Sequence, residues 1–144
     1  MVDDLWPDVN LKPTTQAPYS ILREQAALLG KKTRNVVEAE VSRIEGVSEF
    51  TYRFSLVSPV LGSYEYELFS VRHGVVFYPL YVKLDTYIRE ELRTAYQPDN
   101  TGWVPIRSEE EFIKLLRDVF NSQRTRQVIQ AILAQAPPIH IPFS

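Results

Sequence analysis

The chain of 144 residues contains no cysteine, so neither a disulfide framework nor a cysteine-based metal site or nucleophile can form. It has two histidines, His73 and His140, and neither has a carboxylate or a second histidine at metal-ligand spacing. Its five glycines build no glycine-rich phosphate-binding motif, and no G-x-S-x-G motif marks a serine nucleophile. The sequence therefore favours a non-enzymatic protein with no metal and no cofactor.

Long hydrophobic runs and an excess of one charge are also absent. No run approaches the ~18 apolar residues that a membrane helix needs, and the first residues, MVDDLWPDVN, carry acids where a signal peptide carries basic residues. Sixteen lysines and arginines against eighteen aspartates and glutamates give a net charge of -2, which provides no long-range attraction to a phosphate backbone. We expect a soluble cytoplasmic protein that binds neither membranes nor nucleic acid.

Proline is concentrated at the two ends of the chain. Six of the ten prolines lie in residues 1–18 and 137–144. Because proline can neither continue a helix nor donate a hydrogen bond to a sheet, both ends are predicted to be extended. With 44% hydrophobic and 24% charged residues, the chain has the composition of a globular protein. We expect an N-terminal arm over 1–18, a single domain over 19–136 and a C-terminal tail over 137–144.

Helix signals occur before and after the middle of the chain. The segment SILREQAALLG has apolar residues at helical spacing, with Ser20 as its candidate N-cap. Asp85 is placed to cap a second helix, and Ser108 with Glu111 three residues later forms a capping box before a third. A polar gap near residues 121–122 separates the third helix from a fourth. The short segment GWVPI between the second and third helices is a candidate strand.

The segment before residue 59 alternates between apolar and polar residues, as a hairpin does. Glycine at the first position of Gly46-Val47 suits a two-residue turn, and this turn would place Val41 opposite Tyr52 on an apolar face. The same register would place Glu40 directly opposite Arg53 on a polar face, where an exposed ion pair contributes little.

The next segment, YEYELFSVRHGVVFYPLYVKL, predicts a second hairpin around an exposed His73-Gly74 turn. Strict alternation puts Phe69 and Val71 on one face, with Glu65 and Glu67 near its end. The other face would then hold four aromatic side chains, namely Tyr64, Tyr66, Phe77 and Tyr81. Both faces of this hairpin are predicted to be apolar, so a second layer would have to cover each of them.

These elements predict an α+β domain: a four-stranded antiparallel meander, preceded by one helix and followed by about three helices packed on the sheet. The first helix would cover one face and the later helices part of the other, or a second copy or a partner would cover it. The order of one helix and then four strands resembles cystatin-like and NTF2-like folds, a likeness that implies a fold and no activity.

Tyrosine is common at interfaces, so the aromatic face motivates the functional hypothesis. We expect a small protein-binding module of the adaptor, chaperone or immunity type. It would act through Tyr64, Tyr66, Phe77 and Tyr81, with a homodimer or a different protein as the partner. The alternative is a small-molecule-binding or catalytic domain of cystatin-like or NTF2-like shape, whose pocket is lined by the tyrosines with Glu65 and Glu67.

Overall fold

A computed structural model describes residues 2–45, 49–62 and 64–136 of the chain. The fold is α+β, with one antiparallel sheet in which the strands follow one another in chain order. The elements are α1 (Pro18–Lys32), β1 (Glu38–Arg43), β2 (Phe50–Ser58), a 3₁₀ turn (Pro59–Leu61), β3 (Tyr64–His73), β4 (Leu80–Leu84), α2 (Thr86–Glu91), β5 (Val104–Ile106), α3 (Glu109–Phe120) and α4 (Gln123–Gln135).

The predicted fold class is confirmed, with one more strand in the sheet. The meander has five strands and not four, because the short β5 pairs with β4 and places Ile106 opposite Leu80. One helix precedes the sheet and three follow its fourth strand, as the sequence predicts. Among the described residues, no helix is long and apolar enough to cross a membrane.

Local capping signals explain where three of the helices begin. The Asp85 carboxylate accepts hydrogen bonds from the backbone N–H groups of residues 87 and 88, at 3.1 and 3.3 Å. The Ser108 hydroxyl accepts from the N–H of Glu111 at 3.2 Å, and the Ser122 hydroxyl caps α4 in the same way. The Ser20 cap is wrong, because α1 begins two residues earlier at Pro18 and has no side-chain cap. Proline suits the first helical position, because an N–H group there would have no acceptor within the helix.

All the long helices share one face of the sheet, and the core lies between them. Tyr19 of α1 packs on Tyr52 with ring centroids 5.0 Å apart, and Phe120 of α3 packs on Phe54 at 5.3 Å. Tyr52 and Phe54 are two residues apart on β2 and therefore lie on the same face. We call this the helix face. The expectation that α1 and the later helices cover opposite faces is wrong.

The first hairpin has a different register from the predicted one. Glu40 pairs with Ser55 and Arg53 pairs with Ser42, so the predicted Glu40–Arg53 pair is wrong. The error is two residues, and an even shift keeps every side chain on its face. Val41 accordingly stays on the helix face, now opposite Phe54. The predicted Gly46-Val47 turn lies outside the described residues.

A β-bulge in β3 changes which side chains face the core. Phe54 of β2 pairs with Phe69, but the next β2 residue, Ser55, pairs with Glu67, which leaves Leu68 as the extra residue. Leu68 and Phe69 are adjacent in sequence, and both are fully buried. A one-residue insertion exchanges the two faces for all residues that precede it in β3. The prediction that both faces of this hairpin are apolar is therefore wrong.

The second hairpin is wider than predicted. Val71 pairs with Val82, β3 ends at His73, and β4 begins only at Leu80, so residues 74–79 connect the strands. His73 is 5% exposed and stacks on Phe50, so it is not the exposed turn residue expected from the sequence.

The predicted arm contains no helix or strand over residues 2–17. Its apolar side chains are exposed, including Trp6 at 82%, and Gln16 joins the arm to α1 through a hydrogen bond to Glu24. The predicted tail over 137–144, with His140, lies outside the described residues.

Candidate functional site

The face of the sheet opposite the helices is formed by polar side chains from four strands. We call it the open face, and β2 and β3 contribute its centre, where Arg53 pairs with Ser70 and Thr51 pairs with Arg72. Along β3, the bulge places Glu65 and Glu67 on this face too, in register with Val57 and Ser55. The long side chains remain accessible: those of Arg53 and Glu67 are 45% and 47% exposed.

Arg72 is the best-defined side chain of the open face. Its guanidinium lies 4.4 Å from the ring centroid of Trp103 and 5.3 Å from that of Tyr81, a geometry that favours cation–π attraction to both. The nearest carboxylate oxygen, from Glu49, is 3.9 Å from Arg72 Nε. Nε itself is buried and makes no hydrogen bond to any described residue. The two rings therefore hold the guanidinium in place while much of its hydrogen-bonding capacity stays unused.

The loop before β5 positions Trp103. Asp99 Oδ1 accepts hydrogen bonds from the N–H groups of Thr101 and Trp103, at 2.9 and 3.2 Å. Gly102 has a φ of 86°, a left-handed conformation that favours glycine, just before the tryptophan. Hydrogen bonds from Thr101 lower the pKa of the Asp99 carboxyl, and the charge of Arg72 adds to the effect. Asp99 is thus held as a carboxylate, which fixes the loop and with it the indole.

A groove of about 980 Å³ runs along the open face. Glu65, Tyr66 and Glu67 line one end, and Arg72 and Trp103 line the other. The remaining lining residues are Ile44, Glu49, Thr51, Ser70, Lys83, Leu84, Asp85 and Thr86. The groove is open to solvent, unlike the enclosed cavities that bind small molecules tightly.

Charge is divided between the two ends of the open face. Glu67 lies opposite Ser55, whose other neighbour is Glu40, so two glutamates flank that position of β2. The next residue on the same face of β2 is Arg53, and beyond its neighbour Ser70 lies Lys83 of β4. One half of the open face therefore carries Glu40, Glu65 and Glu67, and the other carries Arg53, Arg72 and Lys83 with a single acid, Glu49, beside Arg72. Glu40 and Arg53 lie on this face but outside the groove.

The structure does not bring the four predicted aromatic residues together. Tyr81 lies on the open face beside Arg72. The bulge moves Tyr64 and Tyr66 into register with Ser58 and Leu56, on the helix face. Phe77 lies in the loop between β3 and β4, where its ring meets His73 edge-on. The expectation that these four side chains share one face is wrong, and their role in binding stays a prediction.

Tyr66 instead links three elements at the edge of the groove. Its hydroxyl donates to Asp85 at 2.9 Å and accepts from Arg124 Nε of α4 at 2.8 Å. Burial raises the pKa of this hydroxyl, so it stays protonated as the hydrogen bond to Asp85 requires. The residue is half-buried, which leaves part of its ring to line the groove.

The predicted pocket residues Glu65 and Glu67 do lie together, exposed on the open face and in the groove. Glu67 also pairs with Arg53 at 3.4 Å and accepts from the Ser70 hydroxyl at 2.7 Å. Among residues 2–45, 49–62 and 64–136, no group of three or more histidine, cysteine or acidic side chains is placed to hold a metal ion.

Sequence reasoning missed Arg72 and Trp103, which are 31 residues apart in the chain and come together only across β4. Once β5 is recognised in GWVPI, alternation would place Trp103 beyond Pro105 on the same face as Tyr81. A polar strand position flanked by aromatic residues was therefore the sequence signal that could have found this cluster.

Comparisons with protein-family models, curated proteins and solved structures find no match.

Proposed function

We propose that the protein is a non-enzymatic protein-binding module that engages a segment of its partner across the open face. The observation that carries this proposal is the Arg72 guanidinium held between Trp103 and Tyr81 on the sheet face opposite the core, where the long side chains are about half-exposed. Arginine, tryptophan and tyrosine are the side chains most enriched among interface residues that dominate binding energy. A cluster of all three on an accessible face is a suitable anchor for a partner.

The shape of the groove supports a chain segment as the ligand. The groove extends over three strands and is open to solvent along its length, so a compact molecule would leave much of its own surface wet. An extended segment can instead place alternate side chains along the face. We also propose that the protein dimerises through this face and that it is cytoplasmic. Sedimentation equilibrium tests the dimer, since Trp103→Ala should weaken self-association.

A small-molecule pocket is the second candidate, because Glu65, Tyr66 and Glu67 do line one groove. It predicts that substitutions at this end of the groove alter ligand binding while substitutions at Trp103 do not. The protein-binding proposal predicts the reverse: substitutions at Trp103 should weaken binding more than substitutions at the Glu65–Glu67 end of the groove, since the aromatic and arginine cluster would provide most of the binding energy.

Peptide display tests the proposal directly. A library of random 12-residue peptides is selected on the immobilised protein, and the enriched peptides are then tested against variants by fluorescence anisotropy. Trp103→Ala should weaken binding at least tenfold, since a central interface residue contributes about 1.4 kcal/mol or more. Leu133→Ala, which removes a 38% exposed apolar side chain from α4, is the matched control and should change binding little.

The proposal fails if the enriched peptides bind Trp103→Ala as tightly as the original protein, or if selection enriches none. Circular dichroism spectra of both variants must match the original spectrum, because a loss of binding through unfolding would not test the surface.

A further inference from the structure

The charge division of the open face specifies the partner segment. We infer that the segment is an extended peptide of about seven residues with basic side chains at one end and acidic side chains at the other. This inference rests on the proposed function and adds the chemistry of the ligand. Basic side chains would lie over Glu40, Glu65 and Glu67, and acidic ones over Arg72 and Lys83.

Strand register sets the length of the segment. On β2, Val57 lies in the row of Glu65, and Thr51 lies in the row of Arg72. These two rows are six residues apart, which is about 20 Å at 3.3 Å per residue. A free amino acid carries its ammonium and carboxylate groups too close together to reach both halves. A segment of about seven extended residues spans them.

The order of charge argues against a ligand of one sign. One half contributes three carboxylates, and the other contributes three cations and one carboxylate, Glu49, so a uniformly charged partner would be repelled over one of the two halves. A nucleic acid would meet Glu65 and Glu67 along the same groove as Arg72. A segment with divided charge is attracted at both ends, and the division determines which of its ends lies over which half of the face.

Arg72 is prepared to receive an acidic side chain. Its guanidinium is oriented by two aromatic rings and is partly exposed. Because Nε is buried, a carboxylate from the ligand would bind the terminal N–H groups. Glu49 is the carboxylate that competes for it, at 3.9 Å and 51% exposed. A carboxylate from the ligand would displace Glu49 from Arg72. Glu49 also lines the groove at the end where the acidic side chains of the ligand would lie, so removing its charge should improve binding.

Two substitutions with the same chemistry are expected to act in opposite directions. Glu49→Gln frees Arg72 and should tighten binding, whereas Glu65→Gln removes attraction for the basic end and should weaken it. Each change should be roughly two- to fivefold, the effect of one solvent-exposed ion pair. A nonspecific effect of net charge would move both variants in the same direction, so each variant serves as the control for the other.

The probe is a fluorescein-labelled nine-residue peptide with two lysines at one end, two glutamates at the other and a threonine–valine spacer that favours an extended chain. The reverse order is tested as well, because the register does not fix chain direction. A peptide of identical composition with interleaved charges is the control. Affinities are measured by anisotropy in 50 and 300 mM salt, where the preference for the divided peptide should shrink at the higher concentration.

The inference is supported if one divided peptide binds more tightly than the interleaved one and the two Glu→Gln variants shift its affinity in opposite directions. It is overturned if the interleaved peptide binds equally well, if neither divided peptide binds, or if both variants shift affinity the same way. The proposed function is tested by a different result. If displayed peptides depend on Trp103 but show no charge order, the open face binds segments and only the chemistry inferred here is wrong.

Discussion

Removal of the Tyr66 hydroxyl tests how the end of the groove is held together. This oxygen donates to Asp85 at 2.9 Å and accepts from Arg124 at 2.8 Å. Asp85 caps α2, and Arg124 lies in the first turn of α4 with its guanidinium 4.0 Å from the Tyr87 ring centroid. One hydroxyl thus joins β3, α2 and α4, and Tyr66→Phe deletes it while keeping the ring.

The expected loss follows from the two bonds. A hydrogen bond to a charged group contributes roughly 1.5–3 kcal/mol when buried. Arg124 and Asp85 are close to solvent and regain water when the hydroxyl is removed, so the loss should be only about 1–2 kcal/mol in total. At a denaturant slope of about 2 kcal/mol per molar in urea, the midpoint should fall by roughly 0.5–1 M.

Urea unfolding followed by circular dichroism measures this change. Tyr64→Phe is the matched control, since Tyr64 is 40% exposed and its hydroxyl bonds to no described residue, and it should stay within about 0.5 kcal/mol of the original stability. Combining Tyr66→Phe with Arg124→Met should give less than the sum of the single losses, because both remove the same contact. Equal midpoints for Tyr66→Phe and Tyr64→Phe would refute the role assigned to this hydroxyl.

Three further predictions concern the core, a buried hydroxyl and the arm. Phe112→Ala should lower the unfolding free energy by about 3–5 kcal/mol in the same urea assay, because Phe112 is fully buried on the core side of α3; a loss below 1 kcal/mol would contradict its placement. Burial, and then the charge of Glu109, raises the pKa of Tyr78 to about 12, so its contribution to stability is complete below pH 10 and is lost as pH rises towards 12. Tyr78→Phe should remove that part of the alkaline loss in urea titrations between pH 9 and 12 and cost little at pH 7, since the hydroxyl has no described partner. Deleting residues 1–15 should leave the urea midpoint unchanged because their apolar side chains, Trp6 among them, are exposed; a shift above 0.5 M would show that the arm packs on the body.

Features governed by neighbouring residues could be predicted from the sequence. Asp85 and Ser108 cap helices as expected, and the break between α3 and α4 falls at residues 121–122, because each signal acts within one turn of backbone. Hairpin register depends instead on the number of residues in the turn, and the same sequence is compatible with more than one pair of residues at its ends. Glu40 therefore lies opposite Ser55 and not Arg53. The face assignments of β1 and β2 survived because the error was an even number of residues.

The bulge at Leu68 explains why the candidate site was only partly predicted. In the segment E-L-F-S-V the two apolar neighbours Leu68 and Phe69 fit either a continuous strand or a strand with one extra residue, so alternation alone does not distinguish the two. In the structure both side chains enter the core, and every earlier residue of β3 changes face. Tyr66 thereby reaches Arg124 on the helix side, while Glu65 and Glu67 reach the open face. Without the bulge the acidic half of that face would lose two of its three carboxylates, so the divided charge proposed to select the partner depends on a single inserted leucine.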